Sequence, residues 1–263
     1  MEEEKKQFSI ELSPRWERVW LLAKMDFLQR YYGSSLGLLW AFLNPLARLL
    51  VYYFVFSYII FKNQDPDFIL YLFMGIIVWG FFLEMTKRGM KALEMKRYLL
   101  ENVEINRHDI QLAHSFTVVF AFGFNILMYF VFCFFFDVSF GLPLLWFFPL
   151  LAILYVFSLG VSLVLSTIFI QIRDLDHIWE IVLLIGFWTV PIIWDQSFIF
   201  DHYRFMLYVS PITGELINFR DILLYNRMPH MDLLLYDLAY TVIFYLGALA
   251  FFKRFAKGAA QRR

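Results

Sequence analysis

An arginine stands inside an apolar run, with an asparagine and a tyrosine one turn to either side. Gly37, Ala41, Asn44, Arg48 and Tyr52 recur every three or four residues, so a helix presents them on one face. A guanidinium at membrane depth costs about 3 kcal/mol or more and is found facing water, a partner or a cavity. Asn44, Arg48 and Tyr52 therefore either line a conduit for polar cargo or tie this helix to a neighbour. A later apolar run puts Asp176, Glu180 and Phe187 on a comparable face, with Asp174 and His177 near its start. Glu180 and Phe187 are assigned to the same lining. Arg30, Tyr31 and Tyr32 sit where a charged stretch meets the first apolar one. Arginine at such a boundary either grips a phosphate through two parallel hydrogen bonds or anchors the chain by snorkelling.

Other chemistries find no residues to carry them. No Gly-Lys pair occurs in the chain, so the phosphate-cradling loop of an ATPase is missing. His108, His114, His177, His202 and His230 are scattered, with no His-Glu-x-x-His and no His/Cys cluster. The single cysteine, Cys133, builds neither a disulfide framework nor a zinc site. Zero formal net charge gives no basic field for nucleic acid.

The elements that must hold these residues are membrane helices. The 263 residues are 61% hydrophobic and 21% aromatic, values that water-soluble domains rarely reach together. Residues 8–32 read as an amphipathic helix at the membrane surface. Ser13 suits its cap, Pro14 its first position and Glu17 its first turn. Leu12, Trp16, Val19, Trp20, Ala23 and Phe27 form its apolar side. The alternative is an ordinary amphipathic helix docked on protein. Gly33 and Gly37 mark a hinge or a close-packing seam before the bilayer. Six spans are expected, at about 36–61, 68–84, 112–136, within 143–170, 176–194 and 233–252, each near the ~20 apolar residues that cross a bilayer. Between spans five and six, residues 195–232 hold apolar pieces too short to span, which read as re-entrant or interfacial helices. Eighteen Lys and Arg fall on one side of this topology, and only Lys62, Arg204, Arg220 and Arg227 on the other. The positive-inside rule then puts both termini in the cytoplasm.

Several motifs share one resemblance. Arg30-Tyr31, Ser35, Leu36-Gly37, Leu39-Trp40 and Asn44-Pro45 follow in an order similar to the N-terminal signature of polysaccharide-exporting ABC transporter permeases. These are the O-antigen, capsule and teichoic-acid exporters. Arg173-Asp174, Pro191-Ile-Ile-Trp194, Ser210-Pro211 and Phe219-Arg220-Asp221-Ile222-Leu223 resemble later anchors, so the likeness covers essentially the whole chain. The resemblance implies an all-α permease, one membrane domain over residues 1–263 with its six-span bundle at 36–252. It implies a homodimer served by two copies of a separate ATPase subunit, which binds the ATP and magnesium. This chain itself then has no cofactor and no enzymatic activity. The implied substrate is an undecaprenyl-pyrophosphate-linked polysaccharide, whose headgroup falls to Arg30, Tyr31 and Tyr32. The implied location is the bacterial inner membrane. The loop at 99–112 stands where the family couples to its ATPase, which singles out Leu99, Glu101, Glu104, Asn106 and Arg107; the family's usual Pro is absent there, and Glu101 replaces a Lys. A drug exporter of the same superfamily and a lipid-linked sugar transferase remain the rival classes.

Overall fold

The computed structural model describes residues 14–31, 35–60, 67–103 and 105–259, and every regular element among them is helical. Four helices are long and apolar enough to cross a membrane: α3 (Phe68–Met95), α5 (Arg107–Phe135), α6 (Phe147–Phe169, extended at its start by a tight turn at Leu142–Trp146) and α11 (Met231–Ala259). Two shorter apolar helices accompany them. The first, α2 (Trp40–Tyr53), continues into a wide turn at Phe54–Ile60. The other is α7 (Leu175–Thr189). Preceding them all is α1 (Arg15–Tyr31), and α4 (Arg97–Asn102) bends the chain between α3 and α5. Three short helices, α8 (Gln196–His202), α9 (Met206–Val209) and α10 (Pro211–Leu223), join α7 to α11.

Helix α3 is the core of the bundle. It packs on both α5 and α6 and is apolar nearly all round, as a helix surrounded by others must be. It also runs eleven residues beyond the expected end of the second span. Lys87, Arg88 and Lys91, expected on a loop, therefore sit on its final turns. Three helices meet closely where α3 carries Gly89. A Cβ there would lie 2.0 Å from Ser162 Oγ. Gln111 donates to the Gly89 carbonyl at 3.0 Å and accepts from the Ser162 hydroxyl at 3.1 Å. Small residues and interhelical hydrogen bonds supply the packing that lipid cannot drive by hydrophobicity.

The first helix is both docked and partly bare. Val19, Leu22 and Ala23 are buried against α5, and Thr117 donates to the Ala23 carbonyl at 3.1 Å. Arg15 pairs with Asp109 at 2.7 Å and Lys96 with Asp26 at 2.7 Å. Trp16 and Trp20, expected on the same apolar side, face outward instead. They suit the headgroup layer, where indoles gather. The cap Ser13 and the residues 8–12 lie outside the described residues, as do Tyr32 and Gly33. Gly37 opens the turn into α2 with φ +48°, a backbone angle that favours glycine.

Every residue of α10 is buried. Ser210 caps it, accepting from the Ile212 amide at 3.4 Å, and Pro211 takes the first position. Its Arg220 is fully buried and joins three segments. The guanidinium donates to the carbonyls of Tyr71, Pro191 and Ile192 and lies 3.3 Å from the centre of the Tyr71 ring. Pro191 and Ile192 follow the end of α7, where carbonyls have no helical partner. Non-helical backbone deep in a bundle needs such satisfaction. Gly75 makes room for it, since a Cβ there would stand 2.9 Å from the guanidinium. Nearby, burial raises the Asp221 carboxyl above its usual range, while His230 and Arg227 pull it back.

Candidate functional site

Two clefts run along one flank of α3. The first, about 300 Å³, lies between α2, α3 and α5 and is lined by Arg30, Trp40, Asn44, Arg48, Glu84, Arg88 and Asn125 among others. The second, about 340 Å³, lies between α2, α3 and α7, with Arg48, Tyr52, Phe56, Trp79, Lys87, Glu180, Phe187 and Trp188 in its walls. They meet at Arg48, Ile76, Gly80 and Leu83, which border both. The result is one continuous groove, with Arg48 where its two halves meet.

All five residues expected on a polar path line this groove. Asn44 borders the first cleft, Tyr52, Glu180 and Phe187 the second, and Arg48 both. The 3.6-residue period of α2 puts Asn44, Arg48 and Tyr52 on the face turned toward α3. Arg48 makes no hydrogen bond or ion pair with any described residue, so it is not a tie between helices. Tyr52 and Phe187 meet across the groove with ring centres 5.6 Å apart, and Trp79 stands 6.3 Å from Phe187. Aromatic faces thus form the walls at this end.

At the other end the groove is strongly cationic. Arg30 and Arg88 both bind Glu84 Oε2, Arg88 at 3.1 Å. Arg30 reaches it from α1, which the Asp26 and Asp109 pairs hold against the bundle. Three guanidiniums and one carboxylate border this cleft, leaving two positive charges uncompensated there. In a partly desolvated cleft such an excess attracts anions, and guanidinium forks match phosphate oxygens. Arg30 thus borders the first cleft, its side chain largely buried beside Glu84. Tyr31 closes α1, its side chain outside the described portion, as is all of Tyr32. Glu84 and Asn125 were not singled out by the sequence. The α3 pattern is apolar all round, so nothing in it marks the groove-facing side.

The mouth of the second cleft is bounded by an ion-pair ladder between α3 and α7. Lys87 pairs with Glu180, Lys91 with Asp176 at 2.6 Å, and Glu94 with Arg173 at 2.9 Å. Glu180 therefore has a counter-ion as well as a place in the lining.

The expected coupling residues divide. Glu101 is exposed and pairs with Arg97 one turn back, at 2.6 Å. Asn106 caps α5, accepting from the His108 amide at 3.1 Å, which is a structural duty. Leu99 packs against the core from α4, Arg107 begins α5, and Glu104 lies outside the described residues. The basic residues Lys87, Arg88, Lys91, Lys96 and Arg97 are each taken by an acidic partner. What stands out instead at the α3–α4 elbow is apolar: Met95 is 78% exposed and Tyr98 69%.

Comparison with known proteins agrees with this picture. An O-antigen export system permease protein RfbA of Myxococcus xanthus is 27% identical over 238 residues, 88% of this chain and 90% of its own length. Another of the same name, from Klebsiella pneumoniae, is 25% identical over 203 residues, 77% of this chain and 78% of its own. The family model described as ABC-2 type transporter matches residues 17–224, a stretch that takes in α1, the groove and α10. The chain is thus an integral membrane protein of the ABC-2 type transporter family.

Proposed function

We propose that this chain is the membrane subunit of an ATP-driven exporter that moves undecaprenyl-pyrophosphate-linked polysaccharide across the bacterial inner membrane. The observation that carries the proposal is the groove. It is cationic at the end bordered by Arg30, Arg88 and Arg48, which suits a pyrophosphate, and aromatic at the end bordered by Tyr52, Trp79 and Phe187, which suits the C–H faces of sugars. The likeness to O-antigen permeases supports the same substrate class. A drug exporter would not need three guanidiniums along one cleft. A sugar transferase would need converging acids and bases, whereas the groove's carboxylates Glu84 and Glu180 are both held in ion pairs.

The proposed topology has six spans and both termini in the cytoplasm. Span one is α2 with its wide turn, about 31 Å long at 1.5 Å per residue. Span five is α7, about 22 Å long, completed by the bent Pro191–Trp194 stretch that Arg220 and Tyr71 hold. Helices α8 to α10 then form the outer re-entrant segment, all within one membrane domain over 1–263. The transporter is a homodimer with two copies of a separate ATPase chain, which hold the ATP and magnesium. An open groove and a helix α7 that buries only Leu183 both suit a second copy alongside. Met95 and Tyr98, apolar at the basic end, give the ATPase a docking knob. Deleting the gene tests the proposal: surface glycan is lost and its lipid-linked precursor accumulates. Intact surface glycan with normal precursor levels would contradict it.

A further inference from the structure

Gly80 is the one residue at the meeting point of the two clefts that presents no side chain. Ile76, Gly80 and Leu83 lie on a single stripe of α3, at helical spacing, and Arg48 faces them from α2. The stripe therefore has two bulky rims and a notch between them. Glycine in a helix interior is about 1 kcal/mol less favourable than alanine, so its presence needs a cause. Close helix contact is the common one in membranes. It explains Gly75 and Gly89, where a Cβ would meet Arg220 and Ser162. It does not explain Gly80, where a Cβ would have nothing within 4 Å. Gly123 and Gly247 are equally open, but they lie on exposed surface and border neither cleft. Gly80 alone combines open space with a recessed position opposite the unpaired Arg48.

We infer that Gly80 sets the bore of the groove: it is the specificity-determining residue that lets a polar chain as wide as a sugar ring pass Arg48. The inference rests on the groove being the substrate path. Side-chain volume at position 80 then controls transport directly, without acting on the fold. Alanine, leucine and tryptophan all raise helix propensity over glycine, and the first atom each adds, the Cβ, has nothing within 4 Å, so complex yield is expected to hold and is measured beside export.

The experiment has two parts, both in the assembled transporter. In the first, Gly80→Ala, Gly80→Leu and Gly80→Trp are compared with the same changes at Gly247. Glycan export per complex is expected to fall in that order, by about tenfold or more for leucine, an added barrier of about 1.4 kcal/mol. ATPase activity and complex yield stay near wild type, and the Gly247 series exports normally. In the second, Gly80→Cys in a Cys133→Ser background is treated with a membrane-impermeant thiol reagent. Labelling is expected, followed by loss of export. Labelling combined with normal export by Gly80→Trp would overturn the bore assignment and leave the path standing. No labelling combined with normal export by Gly80→Trp would overturn both.

Discussion

Arg48 is where the chemistry of this chain concentrates. It borders both clefts and has no anionic partner among the described residues. Its charge is therefore free to meet an anion that enters the groove. Arg48→Met keeps much of the stem and removes the charge. Export per assembled complex is expected to fall by about tenfold, because one charge-assisted phosphate contact is worth about 1.5–3 kcal/mol. Arg48→Lys retains part of it. Pull-down yield of the complex, measured beside export, separates this from a structural loss. Glu84 gives a second test at this scale. It neutralises Arg30 and Arg88 together, so Glu84→Gln frees both for phosphate. Tighter binding of a pyrophosphate-linked precursor to the purified complex is the expected outcome; weaker binding would place the headgroup elsewhere. The α2 stripe was legible in the sequence because polar residues at helical spacing in an apolar run can only share a face. Glu84 and Gly80 were not, because α3 is apolar on nearly every side and its period does not mark which side borders a cleft. Asn106 carried a signal that pointed elsewhere: an asparagine just before a long helix is a cap.

Among the elements, α10 and the α3–α4 elbow make the sharpest claims. Arg220 satisfies three carbonyls, one on α3 and two in the stretch that follows α7. Arg220→Gln leaves at least one buried carbonyl orphaned and is expected to cost about 3 kcal/mol. A fall in the thermal unfolding midpoint of the detergent-solubilised protein checks it; an unchanged midpoint would mean the α7 end is held by other contacts. At the elbow, Met95→Ala with Tyr98→Ala is expected to weaken ATPase pull-down while leaving the bundle intact. Reversing the charge of Glu101, already spent on Arg97, should weaken pull-down less. Arg88 and Arg97 have acidic partners one turn away, but those of Lys87, Lys91 and Lys96 lie as far as 93 positions off, beyond any local pattern. The same distance effect hid the split in α1. Its apolar stripe was correct as a helix face, yet only the tertiary fold could assign Val19 and Ala23 to protein and Trp16 and Trp20 to the outside.

For the whole molecule, helical character and membrane residence followed from long apolar runs, since a chain in lipid must satisfy its backbone within each segment. Four of the expected spans match helices long enough to cross. The first and fifth are shorter, because each ends in non-helical or widened backbone that sequence hydropathy cannot distinguish from helix. Cysteine labelling decides the topology: a cysteine at Asn226, with Cys133 removed, is expected to react only from outside the cell. Reaction from the cytoplasmic side alone would invert the assignment. The central claim, that the groove carries a lipid-linked glycan, is tested most directly by photo-crosslinking during arrested export. A photoreactive residue is placed at Asn44, at Tyr52 or, as a lipid-facing control, at Gly247. The account predicts glycan-bearing adducts at positions 44 and 52 and only membrane lipid at 247. Ordinary phospholipid at all three positions would contradict it.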